Sequence, residues 1–127
     1  MALFFSKEWV AEVDAAIQAS EEVAKAAAGK NIILEQVATD SAHGEVAYHI
    51  VIADGTVRAV PGRADAPTIS ITGPWDVHVS INKGELSPPV ALLTGKGKLS
   101  GDRMKLMTER NLFATIQTST NAVQGEY

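Results

Sequence analysis

The stretch GELSPPVALLTGKGKLSGD, from Gly84 to Asp102, holds the densest structural signals in the sequence. Ser87 followed by two prolines is typical of a helix start, because proline fits the first helical turn, and Gly95 ends the short apolar helix that follows. The segment from Lys96 to Ser100 predicts a short strand, and Asp102 is a suitable N-cap for a last helix. The stretch therefore predicts a helix, a strand and a second helix in close succession.

Upstream of this stretch, the hydrophobic period changes from that of a helix to that of strands. Ser6 is a suitable N-cap for a first helix, which carries apolar residues at helical spacing and ends at Gly29. The Asp54-Gly55 pair predicts the two-residue turn of a tight hairpin. Four strands are predicted in this part of the chain: Asn31–Thr39, Glu45–Ala53, Thr56–Val60 and Thr68–Thr72.

Between Gly73 and Lys83 the residues allow two interpretations. Apolar residues alternate with polar ones from Val77 to Asn82, which favours a strand. Pro74 followed by Asp76 also fits the entry of a helix, since proline is tolerated in the first turn. From the residues alone, the strand is the favoured interpretation.

The last predicted helix, which begins after Asp102, carries apolar residues on two sides. At the helical rotation of about 100° per residue, Met104 and Met107 lie on one side. The nearly opposite side holds the other apolar residues: Leu106, Phe113 and Ile116. A helix that is apolar on two sides buries both, one against the sheet and one against a second apolar partner.

The length and composition exclude several classes of protein. A chain of 127 residues has the size of one domain, which we predict to span residues 1–127. The chain contains no cysteine, which excludes disulfides, thiolate zinc sites and cysteine nucleophiles. The net charge of −4 argues against nucleic acid as a partner. No apolar run approaches the roughly 20 residues of a membrane span, so the expected location is the cytoplasm.

No arrangement of residues predicts an enzyme, a cofactor or a metal site. The histidines His43, His49 and His78 do not have the spacing of metal ligands, and His49 is expected to be a structural residue of a strand. The glycines from Gly95 to Gly101 match neither common phosphate-binding motif, so turns explain them. The carboxylates of the first helix lie on its polar face, where solvation explains them.

Positive charge is concentrated near the C terminus, although the chain is acidic overall. Residues 1–95 have a net charge of −6, whereas residues 96–110 have a net charge of +3. We call the basic side chains of the second range the basic cluster: Lys96, Lys98, Arg103, Lys105 and Arg110. Such a cluster is either a solvated surface or a patch that steers an anionic headgroup.

The stretch from Gly84 to Asp102 resembles the C-terminal signature of the sterol carrier protein type 2 family. That signature is a glycine, a short spacer with proline, an apolar helix, Gly-Lys-x-Lys-apolar-x-Gly and a final helix. The resemblance implies an α+β fold: a five-stranded, mainly antiparallel sheet with helices covering one face, enclosing a hydrophobic tunnel. It also implies that Trp75–Asn82 is helical, which replaces the strand interpretation. Gly97 departs from the family pattern, because an apolar residue usually stands between the two lysines.

The resemblance implies a non-enzymatic protein that binds or transfers a lipid such as a fatty acid, an acyl-CoA, an isoprenoid or a sterol-like molecule. We predict an apolar cavity lined by nine residues: Val79, Ile81, Leu86, Val90, Leu92, Leu93, Met104, Met107 and Phe113. Any one of these side chains is equally explained by an ordinary core. The alternatives are an interaction or dimerisation module of the same fold, and a small enzyme acting on a lipid or CoA ester. Transient membrane contact and a homodimer are compatible with the sequence.

Overall fold

The computed structural model describes all residues from Met1 to Tyr127, in six helices and five strands. The helices are α1 Lys7–Gln18, α2 Glu21–Ala27, α3 Trp75–Asn82, α4 Pro88–Leu93, α5 Arg103–Thr108 and α6 Arg110–Asn121. The strands are β1 Ile32–Ser41, β2 Gly44–Ala53, β3 Thr56–Pro61, β4 Ile69–Pro74 and β5 Lys98–Gly101. None of the helices combines the length and the apolar character needed to cross a bilayer.

The five strands form one sheet in the order β3-β2-β1-β4-β5. Only β1 and β4 run parallel, and the other three neighbouring pairs are antiparallel. The predicted five-stranded, mainly antiparallel sheet is therefore confirmed. Because β3 and β4 lie on opposite sides of the β2–β1 pair, the segment 62–68 crosses β2 and β1 to connect them.

The helices cover one face of the sheet, as predicted. Alternate side chains of β1, β2 and β3 point to that face, and Ile32, Ile50 and Val57 are at most 5% exposed there. They belong to one apolar core with side chains of α1, α2 and α6. Tyr48, Ile50 and Ile52 share this face of β2, and all three are buried in this core.

The predicted single first helix is two helices. α1 ends at Gln18, and the Ser20 hydroxyl oxygen accepts a 3.2 Å hydrogen bond from the Val23 N–H as the N-cap of α2. The sequence interpretation counted Ser20 as part of one continuous helix. A serine whose oxygen binds the backbone three residues later ends one helix and starts the next.

The segment Trp75–Asn82 is helical, as the family resemblance implied, and the strand interpretation is wrong. Its two buried residues, His78 and Asn82, are four positions apart, which is the spacing of one helix face. The alternation that suggested a strand involves Val79 and Ile81, which are only partly buried. Burial here follows the helical period, not the strand period.

The predicted last helix is also interrupted. Asp102 is its N-cap, as predicted, and accepts a 3.1 Å hydrogen bond from the Lys105 N–H. α5 ends at Thr108, and α6 begins at Arg110 after a break at Glu109. The strand before it is shorter than predicted, because the N–H groups of Lys96 and Gly97 bind the Ala91 carbonyl instead of a strand.

The N-terminal segment contributes an aromatic cluster to the core. Phe4, Phe5 and Trp9 are at most 6% exposed, and their ring centroids lie 4.7–5.8 Å apart. The Trp9 indole N–H donates a 2.8 Å hydrogen bond to the Val123 carbonyl. This bond joins the two ends of the chain.

The free edge of β3 is covered by α1. Asp14 accepts hydrogen bonds from the Ala59 N–H at 2.9 Å and from the Arg58 guanidinium at 3.0 Å. Solvation alone therefore does not explain this carboxylate, contrary to the sequence interpretation. Gln18 also donates to the Val57 carbonyl. These bonds occupy backbone groups of an edge strand that would otherwise be open to pairing with another chain.

Candidate functional site

A small cavity lies between the helix-covered face of the sheet and helices α3, α4 and α6. Its volume is about 30 Å³, which is room for about one water molecule and not for a lipid chain. Its apolar wall includes six larger side chains: Phe5, Trp9, Ile71, Val77, Ile81 and Leu92.

The rest of the wall is polar but uncharged. No Asp, Glu, Lys or Arg side chain lines the cavity. The polar side chains come from β1, β2, α3 and α6: Gln36, Tyr48, His78, Asn82, Gln117 and Thr120. An enclosed wall without charge favours apolar and neutral polar groups over ions, because burying an unpaired charge is costly.

Most of these polar side chains are bonded to other protein groups. The Asn82 amide donates to the carbonyls of Thr120 and Val123 at 3.4 and 3.3 Å. The Thr120 hydroxyl donates to the Ile116 carbonyl at 3.1 Å, and the Gln117 amide donates to Asn121 at 2.8 Å. The two bonds of Asn82 hold the end of α6 against α3, whereas the bonds of Thr120 and Gln117 lie within α6.

Two groups on the wall have shifted pKa values because they are buried. Desolvation lowers the pKa of His78, although its hydrogen bond to the Val37 carbonyl opposes the shift. Desolvation also raises the pKa of Tyr48, against a smaller opposing effect of Thr120. Both side chains are therefore uncharged at neutral pH.

The structure places only two of the nine predicted lining residues, Ile81 and Leu92, on the cavity wall. Val79 and Phe113 are partly buried and pack against the main core. Leu86 lines an open surface depression beside Pro74 and Lys96. The remaining four are exposed, with relative exposures of 45%, 87%, 67% and 69%: Val90, Leu93, Met104 and Met107.

Several cavity residues were not among the sequence candidates. Phe5 and Trp9 come from the N-terminal part of the chain, for which no cavity residue was predicted. Gln36 and Tyr48 come from strands. The alternation of inward-facing and outward-facing residues along β1 and β2 is the sequence pattern that could have identified them. Ala91, which is 3% exposed, lies in the apolar helix that the sequence did identify.

Gly97, which departs from the family pattern, lines the cavity. A Cβ at this position would lie 3.6 Å from the Leu92 side chain and 3.8 Å from the Thr72 carbonyl, which are ordinary van der Waals distances. The surrounding structure therefore leaves room for a small side chain at this position.

The basic cluster lies beside exposed apolar side chains. None of its five cations has a carboxylate within 4.0 Å, and the nearby Glu109 pairs instead with Lys30 at 2.9 Å. Nine residues, Thr94 to Asp102, separate α4 from α5, and four of them form β5. This part of the chain thus carries both unpaired cations and exposed apolar side chains: Val90, Leu93, Lys96, Lys98, Arg103, Met104, Lys105 and Met107.

The histidines do not form a metal site. His43 is exposed in the turn between β1 and β2, and the Nδ1 of His49 lies 2.9 Å from the Gly62 carbonyl. The structural role predicted for His49 is consistent with this bond. No three His, Asp or Glu side chains are grouped as a metal ion requires.

These features define a class of small α+β domains in which helices cover one face of a mainly antiparallel sheet around an apolar interior. The sequence pattern of the SCP-2 sterol transfer family matches residues 11–114, so the chain belongs to this family. Membership connects the chain with lipid binding and transfer in general. No curated protein sequence matches the chain.

Solved structures show the same fold at low sequence identity. A crystal structure of sterol carrier protein 2 is 21% identical, with a TM-score of 0.77, over 94% of this chain and 98% of that one. A conserved hypothetical protein from Thermus thermophilus is 19% identical, with a TM-score of 0.80, over 99% and 93%. Palmitated SCP2L2 from Aedes aegypti is 16% identical, with a TM-score of 0.58, over 87% and 90%.

Proposed function

We propose that this protein binds a lipid with a single long apolar chain and carries it without chemical change. One observation supports this more than any other: α5 buries no side chain, and α4 buries only Ala91. Helices with exposed apolar residues and little buried area are the elements that open most easily. In the proposed lipid-bound form, α4 and α5 move away from the sheet and enlarge the cavity.

The two ends of α4 suit such a movement. Gly84 precedes the helix with a φ of 79°, and Gly95 follows it with a φ of 76°. Glycine adopts positive φ values freely, so both connections can change conformation at little cost. The nine residues predicted from the sequence would then contact the lipid chain, including Leu93, Met104 and Met107, which are exposed in the closed form.

The experiment is native mass spectrometry of the purified protein, followed by titration of the delipidated protein with palmitic acid. Trp9 lies on the cavity wall, so its fluorescence reports binding. Leu93→Asp should weaken binding at least tenfold while leaving the melting temperature unchanged, because Leu93 is 87% exposed. Ala11→Asp, on the exposed side of α1, is the matched control and should bind as the wild type does. Equal affinities of the two variants would contradict the role of α4.

We also propose that the surface carrying the basic cluster contacts anionic membranes transiently while lipid enters or leaves. The cluster cations are free of carboxylate partners, and apolar side chains such as Leu93 and Met107 lie among them. Anionic headgroups attract unpaired Lys and Arg side chains, and exposed apolar residues enter the headgroup region. This supports a lipid surface over a second protein as the usual partner.

The second candidate function is an interaction or dimerisation module. The observation that favours it is the same set of exposed apolar side chains on α4 and α5, since exposed apolar patches also mark protein interfaces. A constitutive homodimer with no bound lipid in native mass spectrometry would favour this candidate. A monomer that carries lipid would favour the first proposal.

A further inference from the structure

Gln36 is a polar residue in an otherwise apolar row. Its neighbours on the helix-covered side of β1 are Ile32, Leu34 and Ala38, all of which are buried. Across the sheet, Gln36 pairs with Tyr48 on β2 and Ile71 on β4, and all three line the cavity. The amide therefore lies near the centre of the sheet, on the side that faces the helices.

The Gln36 amide makes no hydrogen bond to the protein, unlike the amides of Asn82 and Gln117 on the same wall. Every fully buried polar side-chain atom in the protein has a partner, so the unpaired Gln36 amide atoms are not fully buried, and the side chain lines the cavity. An amide with two donors and an acceptor is costly in this place unless something else binds it.

His78, which lines the same cavity, carries a second unpaired polar atom. Its Nε2 is 2.9 Å from the carbonyl of Val37, the residue that follows Gln36. A carbonyl oxygen only accepts, so Nε2 carries the proton and Nδ1 of the neutral ring is a bare acceptor. Nδ1 has no partner in the protein. Burial lowers the pKa of His78, which keeps the ring neutral.

We propose that Gln36 and His78 form a subsite for an uncharged polar terminus of the lipid, such as a hydroxyl group. This inference rests on the proposed lipid-binding function. The hydroxyl donates to Nδ1 of His78 and accepts from the amide of Gln36, so the lipid binds with its polar end inward. In the closed form, the 30 Å³ cavity has the size of the single water that would make the same bonds.

The absence of charge on the wall sets the specificity of this subsite. A carboxylate brought beside Gln36 would find no cation among the cavity residues. Burying the carboxylate of an ionised fatty acid there would therefore cost desolvation energy that no cation offsets. A hydroxyl group would replace its hydrogen bonds to water with hydrogen bonds to the protein. A lipid with a neutral terminus therefore binds with that terminus inward, at the subsite, whereas a lipid with an ionised terminus does not.

The test compares 1-tetradecanol with pentadecane, which has a methyl group in place of the hydroxyl. Gln36→Leu removes the amide with little change in volume, and should reduce the ratio of alcohol affinity to alkane affinity about tenfold. Gln18→Leu is the matched control, because Gln18 is exposed on α1 and does not line the cavity. Its ratio should equal that of the wild type.

A second measurement uses only the wild-type protein and so does not depend on the folding of a variant. With 1-tetradecanol labelled with ¹³C at C1, nuclear Overhauser contacts should join the C1 protons to the His78 ring protons. A soluble paramagnetic agent should leave the C1 signal unchanged. Strong broadening of that signal, or an unchanged ratio in Gln36→Leu, would overturn the subsite but not lipid binding. If neither ligand binds, both proposals fail.

Discussion

Glu35 and Arg63 form an ion pair, with 3.1 Å between Oε2 and Nε, where the segment 62–68 crosses the sheet face opposite the helices. Glu35 is 0% exposed and also accepts from the Ser70 hydroxyl at 2.7 Å and the Ala64 N–H at 2.8 Å. One carboxylate on the central strand therefore holds both the crossing segment and β4. The position of β4 beside β1, which forms one wall of the cavity, depends on it.

Acid should remove the stabilisation that Glu35 provides. Burial alone would raise the pKa of Glu35, but the bonds from Ser70, Ala64 and Arg63 outweigh it and lower the pKa. The folded state thus binds this proton less readily than the unfolded state, whose pKa is about 4.3. The contribution is complete above that pH and is lost as the pH falls through the lowered folded pKa.

Glu35→Gln should lower the free energy of unfolding by about 2 kcal/mol at pH 7, because an amide cannot accept from all three donors. The difference from the wild type should shrink as the pH falls from 5 to 3, since the wild-type carboxylate becomes protonated. Urea denaturation of both proteins at several pH values measures this difference in the free energy of unfolding. A difference that stays constant over this range would contradict the assignment to Glu35.

The hairpin between β2 and β3 should not tolerate a branched side chain at Gly55. Asp54 and Gly55 have φ values of 51° and 78°, as a two-residue turn with both residues left-handed requires. Gly55→Val should cost about 1 kcal/mol or more through backbone strain alone, because a Cβ there meets no atom within 4 Å. Gly55→Asn is the control and should cost less, since asparagine tolerates this conformation. Equal losses would argue against strain.

The hairpin was predictable because its signal is local. An Asp-Gly pair between two alternating segments specifies its own turn, whatever surrounds it. The strand interpretation of Trp75–Asn82 was wrong for the opposite reason. The alternation of Val77, Val79 and Ile81 is real, but the contacts of His78 and Asn82 with β1 and α6 select the helix. Those contacts join residues about 40 positions apart, which no local pattern displays.

The cavity was only partly predictable for the same reason. The sequence identified apolar helices near the C terminus, and Ile81 and Leu92 line the cavity. It did not reveal that Phe5 from the N-terminal segment completes the wall, because that contact depends on the pairing of Leu3 with Glu126 at the two ends of the chain. Exposed Leu93 and partly buried Leu92 are adjacent leucines, and only the orientation of α4 distinguishes them.

Gly101 should be less replaceable than Gly84, although both have positive φ values, 97° and 79°. A Cβ at Gly101 would overlap the Thr68 carbonyl, whereas a Cβ at Gly84 would meet no atom within 4 Å. Gly84→Ala should therefore cost about 1 kcal/mol from strain, and Gly101→Ala should cost more because the backbone at the end of β5 must also shift. Thermal unfolding of both variants gives the comparison. Equal losses would mean that β5 is not held closely against β4.

Chain length should control the affinity for lipid. Burial of each methylene contributes about 0.8 kcal/mol, which corresponds to about fourfold in the dissociation constant. A sixteen-carbon chain gains roughly 12 kcal/mol, of which association and ordering cost several, leaving a dissociation constant on the order of micromolar. Titration of 1-alkanols from ten to sixteen carbons, followed by tryptophan fluorescence, measures the slope. A dissociation constant that does not change with chain length would contradict burial of the chain.

Anionic membranes should bind the protein through the basic cluster. Each Lys or Arg near an anionic surface contributes about 1 kcal/mol, so Lys98→Glu combined with Arg103→Glu should reduce binding to phosphatidylserine-containing vesicles by tenfold or more. Lys7→Glu combined with Lys25→Glu changes the net charge equally at exposed positions of α1 and α2 and serves as the control. Co-sedimentation with vesicles measures both variants, and raising the salt concentration should weaken wild-type binding because exposed charges are screened. Equal losses in the two double variants would show that overall charge, and not this surface, governs the contact.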